Sequence, residues 1–266
     1  AIAQKVVRGH GGEITVAMRQ VAAAEGINAE VVHAGVASGR IVIPANPNHA
    51  NLAPVGIGEG LRTKINANIG NSALDSCLAE EMGKLRVALR YGADAMMDLS
   101  TAGDLREIRQ RILAECPAPL GTVPVYEAVA RCGEPEMLTA ELLLEVVAAQ
   151  AAEGVDFMTV HAGLLREHLP LADRRVLGIV SRGGAIMAGW MAVHGRENPL
   201  YERFDDLLAI CAEHDVTLSL GDGLRPGCLA DASDAAQFGE LDAIGDLVRR
   251  CRAAGVQVMV EGPGHV

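Results

Sequence analysis

From residue 61 onward the sequence predicts an α/β domain, a (β/α)8 TIM-type barrel short of its last strand, with residues 1–60 preceding it as a helix-and-loop region. Three observations predict it. Short β-type runs alternate with amphipathic helical stretches at roughly 20–40 residues per unit, the signature of βα repeats. Half of the 266 residues are apolar but only 3% are aromatic, so the core must be Ala, Val, Leu, Ile and Met, which suits helices packed on a parallel sheet. Finally, each strand candidate runs into a polar or glycine-rich turn, where parallel α/β enzymes keep their active sites.

In chain order, the first region holds one helix near 13–25 and a Pro/Asn-rich stretch, Ile43-Pro44-Ala45-Asn46-Pro47-Asn48-His49, which reads as an ordered loop. Strands are expected at 64–69, 95–99, 120–125, 156–160, 176–180, 217–220 and 256–260, with helical patterns at 73–91, 104–114, 139–153, 184–194, 205–213 and 234–253. Glu80, Glu81, Lys84 and Arg86 read as the solvated side of the first of these helices. Seven strands almost complete an eight-stranded barrel. An open doubly wound sheet is the rival, but no Gly-x-Gly-x-x-Gly follows the first strand, which weighs against its nucleotide-binding version. The last strand runs into Glu261-Gly262-Pro263-Gly264-His265-Val266, a carboxylate and a potential metal-binding imidazole at a strand end. The eighth strand is expected further along a longer protein.

A formal charge of −11 argues against nucleic-acid binding, which needs a basic face, yet leaves room for a phosphate held by a few arginines and backbone amides. No apolar run approaches the roughly 20 residues of a membrane span. Cys77, Cys116, Cys132, Cys211, Cys228 and Cys251 are scattered without a Cys-x-x-Cys pair, so they read as reduced thiols of a cytoplasmic protein and offer no zinc or iron–sulfur motif.

In a parallel barrel all the strand-end turns surround one mouth. Ser181-Arg182-Gly183-Gly184, ahead of a helical run, suits a phosphate cradle or an ordinary helix N-cap. Asp222-Gly223-Leu224-Arg225 offers an acceptor and a forked donor to a polar ring or phosphate, or pairs with itself. His161 reads as a base, a donor to substrate or a core histidine; Asn68 binds a ligand or closes its own turn. Glu261 and Asp222 are the catalytic candidates, and His265 is a single metal-ligand candidate where a site needs three or four donors. His10, His33, His49, His168, His194 and His214 read as surface or packing residues, and Trp190 as helix packing.

Seven segments follow in order: Lys64-Ile65-Asn66-Ala67-Asn68-Ile69-Gly70-Asn71-Ser72, Met97-Asp98-Leu99-Ser100-Thr101, Gly121-Thr122-Val123-Pro124-Val125-Tyr126, His161-Ala162-Gly163, Val180-Ser181-Arg182-Gly183-Gly184, Ser219-Leu220-Gly221-Asp222-Gly223-Leu224-Arg225-Pro226-Gly227 and Glu261-Gly262-Pro263-Gly264-His265-Val266. From about residue 12 onward the chain closely resembles the phosphomethylpyrimidine synthase (thiamine pyrimidine synthase) family of noncanonical radical S-adenosylmethionine (SAM) enzymes. The resemblance implies a (β/α)8 barrel and a carbon–carbon lyase. That lyase would rearrange 5-aminoimidazole ribotide to 4-amino-5-hydroxymethyl-2-methylpyrimidine phosphate, releasing formate and carbon monoxide.

By the resemblance, Asn68, Met97, Tyr126, His161, Ser181, Arg182, Gly183, Asp222, Gly223, Leu224, Arg225 and Glu261 would surround the ribotide, with 181–183 on its phosphate. His265 would be one of two protein ligands of a divalent metal, zinc or iron. It also implies a [4Fe-4S] cluster that cleaves SAM, an electron donor for that cluster, and a homodimer. The family's cluster cysteines, second metal histidine and a further substrate tyrosine lie beyond the Gly-Pro-Gly-His segment and are not in this sequence. Two alternatives stand beside the leading one. A paralogous branch makes 5-hydroxybenzimidazole, a cobamide lower-ligand precursor, from the same ribotide; and a non-catalytic barrel would bind ribotide without cleaving SAM. A metal-dependent aldolase-type barrel would rest on Glu261, His265 and fold analogy.

Overall fold

A computed structural model describes residues 14–72 and 77–262. Among the described residues, the N-terminal region holds two helices where one was expected. Helix α1 (Val16–Glu25) starts where the Thr15 hydroxyl accepts the Met18 N–H at 3.2 Å, and ends at Gly26 with φ 68°. Helix α2 (Ala29–Ala37) is capped by Asn28. Strands β1 (Ile41–Val42) and β2 (Ile57–Gly58) pair antiparallel, and Met18, Val21, Val32, Ile41 and Ile43 form a small core of their own.

The main body is a six-stranded parallel sheet in chain order: β3 (Asn66–Ile69), β4 (Ala95–Asp98), β5 (Leu120–Thr122), β6 (Phe157–Val160), β7 (Thr217–Leu220) and β8 (Val258–Val260). Helices α3 (Leu78–Arg90), α4 (Leu105–Glu115), α5 (Pro124–Cys132), α6 (Ala140–Glu153), α7 (Leu169–Ala172), α8 (Arg182–His194), α9 (Pro199–Glu202), α10 (Phe204–His214) and α11 (Ala235–Ala253) lie between the strands. The four residues of β6 and of β7 are buried throughout, as befits strands covered on both faces. Their apolar side chains join Val146, Val147, Met187, Trp190, Leu207 and Leu247 in the largest core cluster. Among the described residues, no helix is long and apolar enough to cross a membrane.

Two expected elements differ. Segment 176–180 is not a strand: β6 pairs directly with β7, Phe157 opposite Thr217, and Val176 is 72% exposed. The reason lies in its backbone. Asp231 accepts the N–H groups of Val176 and Leu177 at 2.8 and 3.0 Å, and Gly178 turns left-handed with φ 60°, so no ladder can form. The third strand stops at Thr122 because Pro124 opens α5 at its first turn, where a missing N–H costs nothing.

The Pro/Asn loop is ordered because it is bolted to the far end of the sheet. Asp156, fully buried, accepts Asn46 N at 2.9 Å, Leu120 N at 2.8 Å and His49 Nδ1 at 2.7 Å. His49 Nε2 meets the Cys116 carbonyl at 2.9 Å. A carbonyl can only accept, so Nε2 donates to Cys116, and one proton is shared between Nδ1 and the Asp156 carboxyl. Burial opposes a charge on the ring, but the Asp156 carboxylate overrides it and pushes the imidazole up.

Candidate active site

The site grows from the carboxyl ends of β3 to β8. Thr159 on β6 and Ser219 on β7 are register partners, so their hydroxyls stand side by side. Both reach Glu261 Oε1, at 2.9 and 3.4 Å, while the Glu261 N–H continues the ladder to the Leu220 carbonyl at 2.9 Å. The carboxyl is therefore fixed at its backbone and at its head. Burial pushes its pKa up; the negative charge of Asp222 adds to this, and the two hydroxyls and Arg225 oppose it. A carboxyl so placed can hold a proton.

Beyond β7 the 222–225 turn approaches Glu261, with Gly262 close to the Asp222 side chain and both lining one cleft with Arg225. Arg225 Nη1 donates to Asp222 Oδ1 at 2.8 Å, so the pairing within the turn is realised. Leu224 points its side chain into the core, leaving only its backbone to the site.

His161, 4% exposed, follows β6. A Cβ on Gly183 would fall 2.2 Å from its Cε1, and one on Gly221 2.9 Å from its Cδ2. Two glycines thus make the slot for one imidazole. Burial lowers its pKa to about 4; Asp222 opposes this and Arg225 adds to it. The ring is neutral at ordinary pH, and among the described residues its Nδ1 has no hydrogen-bond partner.

Ser181 serves as the N-cap of α8, its Oγ accepting Gly184 N–H at 3.1 Å. Arg182 is exposed, its guanidinium carbon 5.5 Å from the centroid of the Tyr126 ring. Tyr126 rides on α5; burial raises its pKa, the charges of Arg182 and Arg225 lower it and that of Glu261 raises it. On the β3 side, exposed Asn68 lines a cleft with Ser72, Lys84 and Arg182, and Met97 is buried beneath, its sulfur 3.8 Å from Asn66 Nδ2. His265, the metal-ligand candidate, lies outside the described residues.

Three supports have no counterpart in the strand-end pattern. Asn198, fully buried, donates to the carbonyls of His161 at 2.8 Å and Leu164 at 2.9 Å. Glu81 is not solvated: it is 1% exposed and accepts the Gly70 N–H at 2.8 Å, steadying the turn after β3. Glu240 of α11, likewise buried, accepts the Leu224 N–H at 2.7 Å. The signal for Glu240 is its spacing: Ala236, Ala243, Ile244 and Leu247 put it on the apolar stripe of its helix.

The residues were also tested against a metal or cluster. Among the described residues no group of three or more His, Cys, Asp or Glu is placed to hold a metal ion. Cys116, Cys211 and Cys251 are buried and Cys77, Cys132 and Cys228 half-buried, with no Cys-x-x-Cys spacing, so they do not fit an iron–sulfur cluster.

The profile of a family described as the radical SAM ThiC family matches residues 5–266. A phosphomethylpyrimidine synthase of Natronomonas pharaonis is 61% identical over 256 residues, covering 96% of this chain and 54% of that protein. Proteins of the same name from Halobacterium salinarum (56% identical; 96% of this chain, 54% of that one) and Desulforamulus reducens (53%; 98% and 62%) also match. The chain spans about half the length of the curated relatives it matches. A solved dihydropteroate synthase from Xanthomonas albilineans superposes at a TM-score of 0.31 with 11% identity, over 82% of this chain and 92% of that one, too loosely to carry an argument.

Proposed function

Because this chain belongs to the radical SAM ThiC family, we propose that it forms the ribotide-binding barrel of a phosphomethylpyrimidine synthase, acting in thiamine biosynthesis. The observation that supports this reading is that Asp222, Arg225 and Glu261, from two strand-end segments, line one cleft, while Arg182 of a third lies over the Tyr126 ring of a fourth. The names of the matched relatives favour the pyrimidine product over the benzimidazole one. In this proposal the six parallel strands belong to a (β/α)8 barrel, the protein acts as a cytoplasmic homodimer, and an electron donor serves its cluster.

Radical generation belongs to the cluster and SAM, and no cysteine set of this chain fits the cluster. The chain's own residues bind, orient and hold protons. The first-turn amides of α8 and the Arg182 guanidinium take the ribotide phosphate, a helix N-terminus favouring an anion there. Asp222 and Arg225 present an acceptor and a donor to the aminoimidazole ring. Glu261 holds a proton beside it, and neutral His161 offers a ring nitrogen without a competing charge. Firm binding at the phosphate fixes the ribose, so the reactive carbon is held in place through the reaction. By the family resemblance His265 would be one protein ligand of a divalent metal.

The test is calorimetric titration of 5-aminoimidazole ribotide into the full-length protein. Ser181→Ala and Arg225→Ala should each weaken binding about 10- to 100-fold, the worth of one or two charge-assisted hydrogen bonds. Unchanged affinity in both would show that this map of the pocket is wrong.

A further inference from the structure

The 222–225 turn is gripped from two sides by residues outside the strand-end segments. On one side the Leu224 N–H donates to Glu240 Oε2 at 2.7 Å, and the second carboxyl oxygen lies against Gly223, 2.8 Å from where a Cβ would sit. On the other, the Leu224 carbonyl accepts Arg175 Nη2 at 2.7 Å and the Arg225 carbonyl accepts Arg175 Nη1 at 3.4 Å. Arg175 is itself fixed by two bonds to Asp234, at 2.7 and 2.8 Å, beside the N-terminus of α11. The backbone of Leu224 is thus held at its N–H and at its carbonyl, on two successive peptide units. The carboxyl and the guanidinium that hold it are both buried, Glu240 at 2% exposure. Buried polar groups placed at such cost hold geometry.

We propose that Glu240 is a positioning residue of this site: with Arg175 it locks the Leu224 peptide and so sets the direction in which Asp222 and Arg225 face Glu261. The effect on ligand affinity rests on the ribotide reading; the locking of the turn does not. Burial pushes the Glu240 carboxyl up to about 8, with Asp222 adding to the rise and the backbone N–H of Leu224 opposing it. The group is thus a neutral acceptor at ordinary pH, and a glutamine can replace it.

The experiment compares Glu240→Gln, which keeps an accepting oxygen, with Glu240→Met, which keeps the volume and removes it. In the full-length protein, hydrogen exchange is followed at the Leu224 amide and 5-aminoimidazole ribotide is titrated. Glu240→Met should speed exchange and weaken ribotide binding, each about tenfold, the worth of one buried hydrogen bond. Glu240→Gln should change neither by more than about twofold. If Glu240→Met does not fold, Arg175→Lys, which can hold only one of the two carbonyls, gives the same two readouts. The proposal is overturned if exchange and affinity stay unchanged, if either moves without the other, or if Glu240→Gln behaves like Glu240→Met. Wild-type protein that fails to bind ribotide would instead sink the functional reading, and exchange alone would then decide whether Glu240 locks the turn.

Discussion

Replacing Gly184 by alanine would put a methyl carbon 2.4 Å from the Gly223 carbonyl oxygen and 2.7 Å from its Cα. Both neighbours are backbone and cannot rotate away. Carbon contacts settle near about 3.5 Å, so α8 and the 221–223 turn must separate by about 1 Å. Overpacking of this kind costs about 1–3 kcal/mol. Better helix propensity returns at most about 0.5–1 kcal/mol. The net loss is about 1–2 kcal/mol, or roughly 2–8 °C in Tm for a chain of this size.

The same helix contains its own control. Gly189 has nothing within 4 Å of a Cβ, so Gly189→Ala should gain about 0.5–1 kcal/mol and raise Tm by about 1–4 °C. Gly183→Ala should fall on the costly side, because the His161 ring is confined by Gly221 opposite and cannot swing clear. Differential scanning calorimetry of the three variants reads the order directly. Ribotide affinity should fall in Gly183→Ala and Gly184→Ala, since misplacement by about 1 Å can cost on the order of 100-fold at a tuned site. If Gly184→Ala were as stable as Gly189→Ala and bound ribotide as wild type does, α8 would not abut the 221–223 turn, and the phosphate cradle would lose its footing.

Further outcomes follow from two of the buried histidines, His161 and His49, and their surroundings. Nitrogen-15 spectra of the imidazoles should show His161 neutral from pH 8 down to roughly pH 5, and His49 protonated above its ordinary value of 6.5. A His161 folded pKa of about 4 lies below the unfolded one, so its contribution is whole above pH 6.5. It is lost as pH falls through 4, a change of about 3 kcal/mol. The His49 contribution runs the other way and is lost as pH rises through its folded pKa, so denaturation of His49→Gln against pH should separate the two slopes. Asp156→Ala leaves His49 and two buried amides without their acceptor and should cost about 3–5 kcal/mol, roughly 6–20 °C in Tm; a melt within 2 °C of wild type would mean the loop is not held there.

What was legible in the sequence was whatever obeys a local rule. Buried parallel strands are short apolar runs, and their carboxyl ends were marked by polar turns, so six of the seven expected strands stand and Asp222, Arg225 and Glu261 line one cleft at those ends. The failures have specific causes. Val176-Leu177-Gly178-Ile179-Val180 has a strand's composition, but two of its amides are spent on Asp231, and hydrogen-bond partners far along the chain leave no trace in composition. The His49–Asp156 pair spans 107 residues and has no local signature at either end. Glu81 and Glu240 were hidden differently. A carboxylate on a helix is nearly always solvated, yet each of these lies with its helix's buried residues, Met82 and Leu85 for one, Ala236, Ala243 and Leu247 for the other. Each reaches the backbone N–H of a strand-end turn, at Gly70 and at Leu224. An acid facing the core needs a donor there, and in a βα protein the nearest unpaired donors are the amides of the turns that leave the sheet. These two buried acids therefore point to the same place as the polar turns do.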